Sequence, residues 1–132
     1  MKMNKKYFIE TYEESRQKFI EYSSNADIIE SIPLKDFSEN EEKGEPLFGM
    51  NGENLYIDIC VFGNIKNPEN VFLHTLGVHG IESFGSNSFQ LKVLSENLNS
   101  KKIELKKSAL IFIHTVNPYG MSFLRRGKRE RE

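Results

Sequence analysis

The stretch of sequence that decides the fold is Asn70-Val-Phe-Leu-His-Thr-Leu-Gly-Val-His-Gly80, a nearly continuous apolar run that ends at a glycine. A run of this kind is typical of a strand that is covered on both faces of its sheet. A second apolar strand is predicted over Ser108 to Val116. Between the two, a helical stripe is formed by Ile81, Phe84, Ser88, Leu91, Leu94 and Leu98. Strand, helix and strand in this order predict an α/β fold with a mixed, partly parallel sheet and covering helices.

The sequence before this unit predicts a helix, a connection and a hairpin. Aromatic residues at spacings of three and four favour a helix from Lys6 to Ser23. The polar stretch that continues to Gly44 is interpreted as a connection with one short strand near Leu34 to Phe37. Around the Asn51-Gly52 turn, residues 46–50 and the alternating strand 55–62 are predicted to form a β-hairpin.

Length and charge place the chain among ordinary globular proteins. Its 132 residues have a formal charge of −1, with 38% hydrophobic and 28% charged residues. That length allows one domain, or part of one. Balanced charge argues against a nucleic-acid partner. The basic tail from Arg125 to Glu132 is interpreted as a solvated chain end, because two glutamates dilute it and no aromatic residue is interleaved.

The cysteine content and the lengths of the apolar segments indicate the cellular compartment. Cys60 is the single cysteine, so no internal disulfide can form. The longest uninterrupted apolar run, Ala109 to Ile113, is far shorter than the roughly 20 residues that cross a bilayer. The N-terminus lacks the apolar segment of a signal peptide. We therefore expect a cytoplasmic protein without a membrane partner.

The candidate site is Gly77-Val-His79-Gly-Ile-Glu82, where a histidine at a strand end precedes by three residues a glutamate that opens a helix. Both side chains are then expected at the carboxyl edge of the sheet, where open α/β sheets bind ligands. An imidazole nitrogen and a carboxylate oxygen can share a zinc ion that keeps a position for water. The spacing by itself does not distinguish a metal site from a structural turn.

Two separated motifs then resemble the zinc carboxypeptidase superfamily. Leu76-Gly-Val-His-Gly-Ile-Glu-Ser-Phe-Gly-Ser86 and His114-Thr-Val-Asn-Pro-Tyr-Gly-Met-Ser-Phe-Leu-Arg-Arg126 occur in the order of its N-terminal part. The pair looks most like a bacterial family of unassigned function within that superfamily, over roughly residues 7–126.

The resemblance implies a zinc-dependent hydrolase of peptide or amide bonds. His79 and Glu82 match the first two zinc ligands of the family. The family's arginine after the Asn-Pro-x-Gly turn stabilises the oxyanion, and either Arg125 or Arg126 could take that role. The alternative is that both arginines are an exposed pair that ends a short helix.

The chain departs from the family pattern after Arg126. Where the family has an Asp-x-Asn-Arg segment that holds the substrate carboxylate, this chain reads Gly127-Lys-Arg-Glu-Arg-Glu132. The third zinc ligand and the general-base glutamate have no matching position. We therefore interpret residues 1–132 as the N-terminal third of such a domain with a divergent tail at 127–132. The full-length relative would bind Zn²⁺, whereas this chain alone is expected to bind it weakly or not at all and to be inactive.

Another hypothesis is a non-catalytic α/β module. In a shortened sheet the strand Ser108 to Val116 would present an unpaired apolar edge, through which the chain could self-associate or be completed by another polypeptide.

The remaining candidate ligands are set back from the sheet edge. His74 and His114 are interpreted as hydrogen-bonded core histidines, with metal ligation as the less favoured reading, and Cys60 as a small strand residue.

Overall fold

A computed structural model describes residues 5–99 and 104–126 of the chain. Within them lie a four-stranded sheet, a two-stranded sheet and three α-helices. The strands are β1 (Ile28–Pro33), β2 (Lys35–Asp36), β3 (Glu45–Pro46), β4 (Tyr56–Gly63), β5 (Asn70–Thr75) and β6 (Ser108–His114). The helices are α1 (Tyr12–Tyr22), α2 (Ser83–Val93), which continues as a π-helix over Leu94–Leu98, and α3 (Pro118–Ser122), with a 3₁₀ turn at Lys5–Tyr7.

The larger sheet is mixed, which confirms the predicted α/β class. Its strand order is β1-β4-β6-β5. Strand β4 pairs antiparallel with β1 and with β6, whereas β5 and β6 run parallel with α2 between them in the chain. The carboxyl ends of β5 and β6 therefore lie at the same edge of the sheet.

The main core lies between one face of this sheet and the helices. Alternate residues of β4 (Cys60, Phe62) and β6 (Leu110, Phe112) are buried against it. The helices contribute Phe19 from α1 and Leu91 and Leu94 from the α2 region, all fully buried. Each such side chain contributes about 1.5–3 kcal/mol by leaving water, so this layer accounts for much of the folding free energy.

The other face of the sheet is less covered by the described residues. Cross-strand partners share a face, so Ile59 of β4 and Ile113 of β6 point the same way. They are half-buried, and neither belongs to the core clusters that the described residues form. The predicted covering helices thus pack on one face of the sheet.

The position of β5 corrects two predictions. It is an edge strand rather than one covered on both faces, because Val71, Phe72 and Leu73 are 59%, 57% and 56% exposed. Strand β6 is paired on both sides, so the predicted unpaired edge at Ser108 to Val116 is wrong. Among the described strands of this sheet, the unpaired edges are those of β1 and β5.

Three boundaries before β5 also differ from prediction. Helix α1 begins at Tyr12 instead of Lys6, because the Thr11 hydroxyl accepts the Glu14 N–H at 3.2 Å and caps it. Strand β1 lies in the stretch for which the sequence predicts a connection. The expected hairpin is reduced to one bridge between Phe48 and Asn54, because β4 pairs with β1 instead. The divergent tail at 127–132 lies outside the described residues.

Candidate functional site

The segments that follow β5 and β6 continue side by side past the sheet. The Val116 N–H donates to the Leu76 carbonyl at 2.9 Å, and the Asn117 N–H donates to the Gly77 carbonyl at 3.0 Å. These two bonds hold the segments together beyond the last paired residues of the strands, Thr75 and Ile113. The turn that carries His79 and the turn that begins at Asn117 are therefore neighbours in space.

His79 and Glu82 face each other across the first of these turns. The His79 backbone N–H donates to Glu82 Oε1 at 2.7 Å, and His79 Nδ1 lies 3.6 Å from the same oxygen. The two side chains are 60% and 44% exposed. The sequence places both residues at the carboxyl edge of β5, and the structure has them there, open to solvent.

The charge of Glu82 is stabilised by its surroundings. Slight desolvation raises its pKa, but the hydrogen bond from the His79 backbone N–H and the adjacent imidazole outweigh this effect, so the pKa lies below the ordinary value. Glu82 also occupies the N-cap position of α2, where the helix dipole favours a negative charge. The carboxylate is therefore ionised at neutral pH and able to act as a ligand.

Close backbone packing determines the shape of the turn. Gly80 has a φ of +115°, and a Cβ at this position would lie 2.6 Å from Gly120 Cα and 2.7 Å from Met121 N. The Ile81 N–H donates to the Arg125 carbonyl at 3.2 Å. The segment after β6 therefore packs directly on the His79–Glu82 turn.

The two candidate arginines belong to this segment. Gly80 and Arg126 form an antiparallel bridge, and the guanidinium of Arg125 lies over the Phe123 ring at 5.6 Å. Both side chains are exposed. The structure brings both backbones to the turn and does not favour one arginine over the other as the oxyanion-stabilising group.

The other two histidines lie within the fold, as the sequence predicts. His114 is fully buried, its Nε2 lies 2.7 Å from Ser15 Oγ, and its ring stacks on Phe19. Burial lowers its pKa to about 3. His74 is half-buried, with Nδ1 3.0 Å from Gln90 Nε2, and desolvation lowers its pKa. His114 is thus a hydrogen-bonded core histidine, whereas His74 is hydrogen-bonded but only half-buried on the edge strand β5.

Cys60 also lies in the core. Burial raises the pKa of its thiol to about 12, so the reactive thiolate is not populated at neutral pH. Across residues 5–99 and 104–126, no group of three or more His, Cys, Asp or Glu side chains is arranged to hold a metal ion. The candidate ligands that the structure describes at the turn are His79 and Glu82. In the same residues, no helix is both long and apolar enough to cross a membrane.

Sequence reasoning missed the contact that joins the two turns. The side-chain amide of Asn117 donates from Nδ2 to the His79 carbonyl at 3.2 Å. Asn117 is visible in the sequence as the first residue of the Asn-Pro-Tyr-Gly motif. The motif does not indicate that its hydrogen-bond partner is His79, which lies 38 residues earlier.

Comparisons with known proteins identify a family whose model matches most of the chain. The model of a family described as protein of unknown function (DUF2817) matches residues 8–131. A comparison with curated proteins finds no match. Among solved structures, the crystal structure of thrombin activatable fibrinolysis inhibitor (TAFI) is 12% identical, with a TM-score of 0.45 over 98% of this chain and 33% of that one. The chain thus spans about a third of the length of that structure.

Proposed function

The chain belongs to the family described as protein of unknown function (DUF2817), and we propose that its His79–Glu82 turn is part of the zinc site of a carboxypeptidase-like hydrolase. The observation that carries the proposal is the 3.6 Å separation of His79 Nδ1 and Glu82 Oε1 in a solvent-open turn. The motif resemblance to the zinc carboxypeptidase superfamily supports it and gives the reaction class, hydrolysis of a peptide or amide bond.

The donor atoms fit a shared zinc ion. Zinc binds imidazole nitrogen and carboxylate oxygen at about 2.0–2.1 Å, so two such ligands in a tetrahedral site lie roughly 3.4 Å apart. The observed separation of 3.6 Å is close to that value. Glu82 is ionised, and the His79 backbone N–H fixes its carboxylate at 2.7 Å. The two residues are thus suited to hold the metal together.

The residues around the turn would serve the reaction in defined ways. A zinc ion held there would supply Lewis-acid chemistry toward a carbonyl and a water. His79 and Glu82 would bind it, with the carboxylate offsetting its charge. Arg125 or Arg126, carried by the segment that packs on the turn, would stabilise the negative charge that develops on the substrate oxygen.

This chain of 132 residues is expected to bind zinc weakly and to be inactive by itself. Its described residues supply two ligands, whereas catalytic zinc sites use three protein ligands. The Asn-Arg clamp and the general-base glutamate of the family have no counterpart in its sequence. The hydrolytic activity is therefore proposed for family members that supply these groups.

Zinc titration of the purified chain tests the site. NMR spectra recorded during the titration should show weak binding that shifts the His79 imidazole and Glu82 signals first. His79→Ala and Glu82→Gln should each abolish this response. Glu30→Gln, a change at an exposed glutamate on the edge strand β1, is the matched control and should bind as the wild type does.

Two results would contradict the proposal in different ways. Zinc that shifts other residues but leaves His79 and Glu82 unaffected would exclude the proposed site. Stoichiometric tight zinc together with release of a C-terminal amino acid would show that the chain is active by itself.

A second candidate function, self-association, rests on one observation, the exposed edge of β5. Strand β5 carries no charged side chain and no proline, whereas the opposite edge strand β1 contains Glu30 and Pro33. Charge and proline protect natural sheet edges from pairing. Two β5 strands from two copies can pair antiparallel about a two-fold axis without placing like charges opposite each other.

Sedimentation at increasing concentration tests this candidate. The wild type should dimerise, and Leu73→Lys should shift the chain to monomer by placing charges along the edge. Ile65→Lys, an exposed apolar residue outside the strands, is the control and should leave dimerisation unchanged. A monodisperse wild-type monomer that binds no apolar dye would contradict self-association.

A further inference from the structure

We propose that Asn117 is a positioning residue that holds His79 in the orientation needed for metal binding, an inference that rests on the proposed zinc site. Its side chain joins the two turns that meet at the sheet edge. Nδ2 donates to the His79 carbonyl at 3.2 Å, and Oδ1 accepts the Gly120 N–H at 2.9 Å. The backbone N–H of Asn117 also donates to the Gly77 carbonyl at 3.0 Å.

These contacts hold both backbone polar groups of His79. The carbonyl accepts from Asn117, while the N–H donates to Glu82 Oε1 at 2.7 Å. A residue held at both groups has little freedom in φ and ψ, so its Cα–Cβ direction is restricted. The imidazole of His79 is largely exposed and has little packing to orient it, which leaves the backbone as the main constraint.

The Asn117 side chain is itself anchored. Asn117 is the N-cap of α3, whose residues Pro118, Gly120, Met121 and Ser122 are buried. The helix is short, but its burial gives the amide a rigid base. Outer residues that orient a metal ligand are worth 10–100-fold in metal affinity in typical sites, and Asn117 acts in this way through the His79 carbonyl.

The two functions of the side chain can be separated by substitution. Asn117→Asp keeps an oxygen that accepts the Gly120 N–H, and aspartate is as good an N-cap as asparagine. It loses the Nδ2 donor to His79. Asn117→Ser keeps a capping oxygen without adding charge and also loses that donor.

Asn64→Asp is the matched control. Asn64 Oδ1 also accepts backbone N–H groups, in its case those of Lys66 and Asn67, and its Nδ2 donates to the Lys106 carbonyl. The control therefore repeats the same chemical change in a loop away from the site.

The experiment measures amide exchange without metal and zinc affinity by titration. In Asn117→Asp and Asn117→Ser, the His79 amide should exchange about tenfold faster relative to the Phe112 amide of β6, with an unchanged urea midpoint. Zinc affinity should fall about 10–100-fold in both variants. Asn64→Asp should match the wild type in both readouts.

The outcomes distinguish the two proposals. A His79 amide whose relative exchange is unchanged in both variants would overturn the positioning role, including when the urea midpoint falls. If Asn117→Asp does not fold, Asn117→Ser decides. If the wild type shows no zinc response at His79 and Glu82, the zinc site fails, while faster His79 exchange would still support the restraint by Asn117.

Discussion

The Arg16 guanidinium of α1 donates two hydrogen bonds to the Asp58 carboxylate of β4, from Nε to Oδ2 at 2.8 Å and from Nη2 to Oδ1 at 3.1 Å. The Asp58 side chain is 1% exposed, and Ser31 Oγ of β1 donates to Oδ1 at 2.6 Å. The guanidinium also lies over the Tyr56 ring at 3.9 Å. A buried carboxylate thus joins the first helix to two strands of the sheet.

Removal of Arg16 should be costly because Asp58 would remain buried without its counter-charge. We expect Arg16→Met to lower the free energy of unfolding by about 3 kcal/mol, measured by urea denaturation. The double variant Arg16→Met/Asp58→Asn should recover at least half of that loss. Lys92→Met, an exposed cation on α2, should stay within about 0.5 kcal/mol of the wild type. A loss below about 1 kcal/mol for Arg16→Met would contradict the prediction.

The buried imidazole of His114 should make stability depend on pH. Burial, with a smaller effect of the Arg16 charge, lowers its pKa to about 3 in the folded chain, from an ordinary value of 6.5. Tyr12 and Asp58 are the other titratable groups that face it. Between these two pKa values the unfolded chain binds more protons. Stability should therefore fall as the pH falls below about 6.5, by up to about 1.4 kcal/mol per pH unit.

Urea denaturation at pH 7 and pH 5 checks this dependence. The wild type should lose about 2 kcal/mol more than His114→Gln over that range, because the variant lacks the titrating group. His79→Gln removes an exposed histidine and should keep the wild-type loss. Equal pH dependence in the wild type and His114→Gln would refute the assignment.

The Tyr12 hydroxyl completes the backbone hydrogen bonding of Tyr56. It donates to the Tyr56 carbonyl at 3.1 Å and accepts the Tyr56 N–H at 2.8 Å. The pairing of β4 with β6 begins at Asp58, opposite His114. On the side of β4 that faces β6, Tyr56 therefore lies beyond the last paired residue. Tyr12→Phe should cost about 1–3 kcal/mol of unfolding free energy, with Tyr22→Phe as the control. A Tyr12→Phe variant as stable as the wild type would show that water replaces the phenol.

The elements predicted correctly are those with a periodic apolar pattern. Strand β6 buries alternate apolar residues, whereas the α2 region buries Leu91 and Leu94 of its predicted stripe together with the polar Ser83, Asn87 and Gln90. Strand β1 was missed because every one of its residues is exposed, so no face was selected. For β5 the apolar run correctly indicated a strand, but its place at the edge depends on long-range pairing with β6.

The candidate site was predictable only in part, for a related reason. His79 and Glu82 are three residues apart, so local spacing and the strand end suffice to bring them together. Asn117 reaches His79 only because β5 and β6 are adjacent, and Ser15 meets His114 only because α1 packs on β6. Contacts between residues 38 and 99 positions apart follow from the assembled sheet and not from any local pattern.

The close approach of Gly80 to Gly120 gives a test of the turn itself. A Cβ at Gly80 would lie 2.6 Å from Gly120 Cα, and the φ of +115° is strained for any side chain. Gly80→Ala should therefore lower the free energy of unfolding by about 2 kcal/mol or more, and weaken any zinc response at His79.

Gly85, five residues later in α2, is the matched control for the same substitution. A Cβ there meets no atom within 4 Å, so Gly85→Ala adds no contact and gains helix propensity. Gly85→Ala should raise the free energy of unfolding by about 0.5–1 kcal/mol in urea denaturation. If both alanine variants changed stability equally, the contact between the two turns would not have the role that the structure gives it.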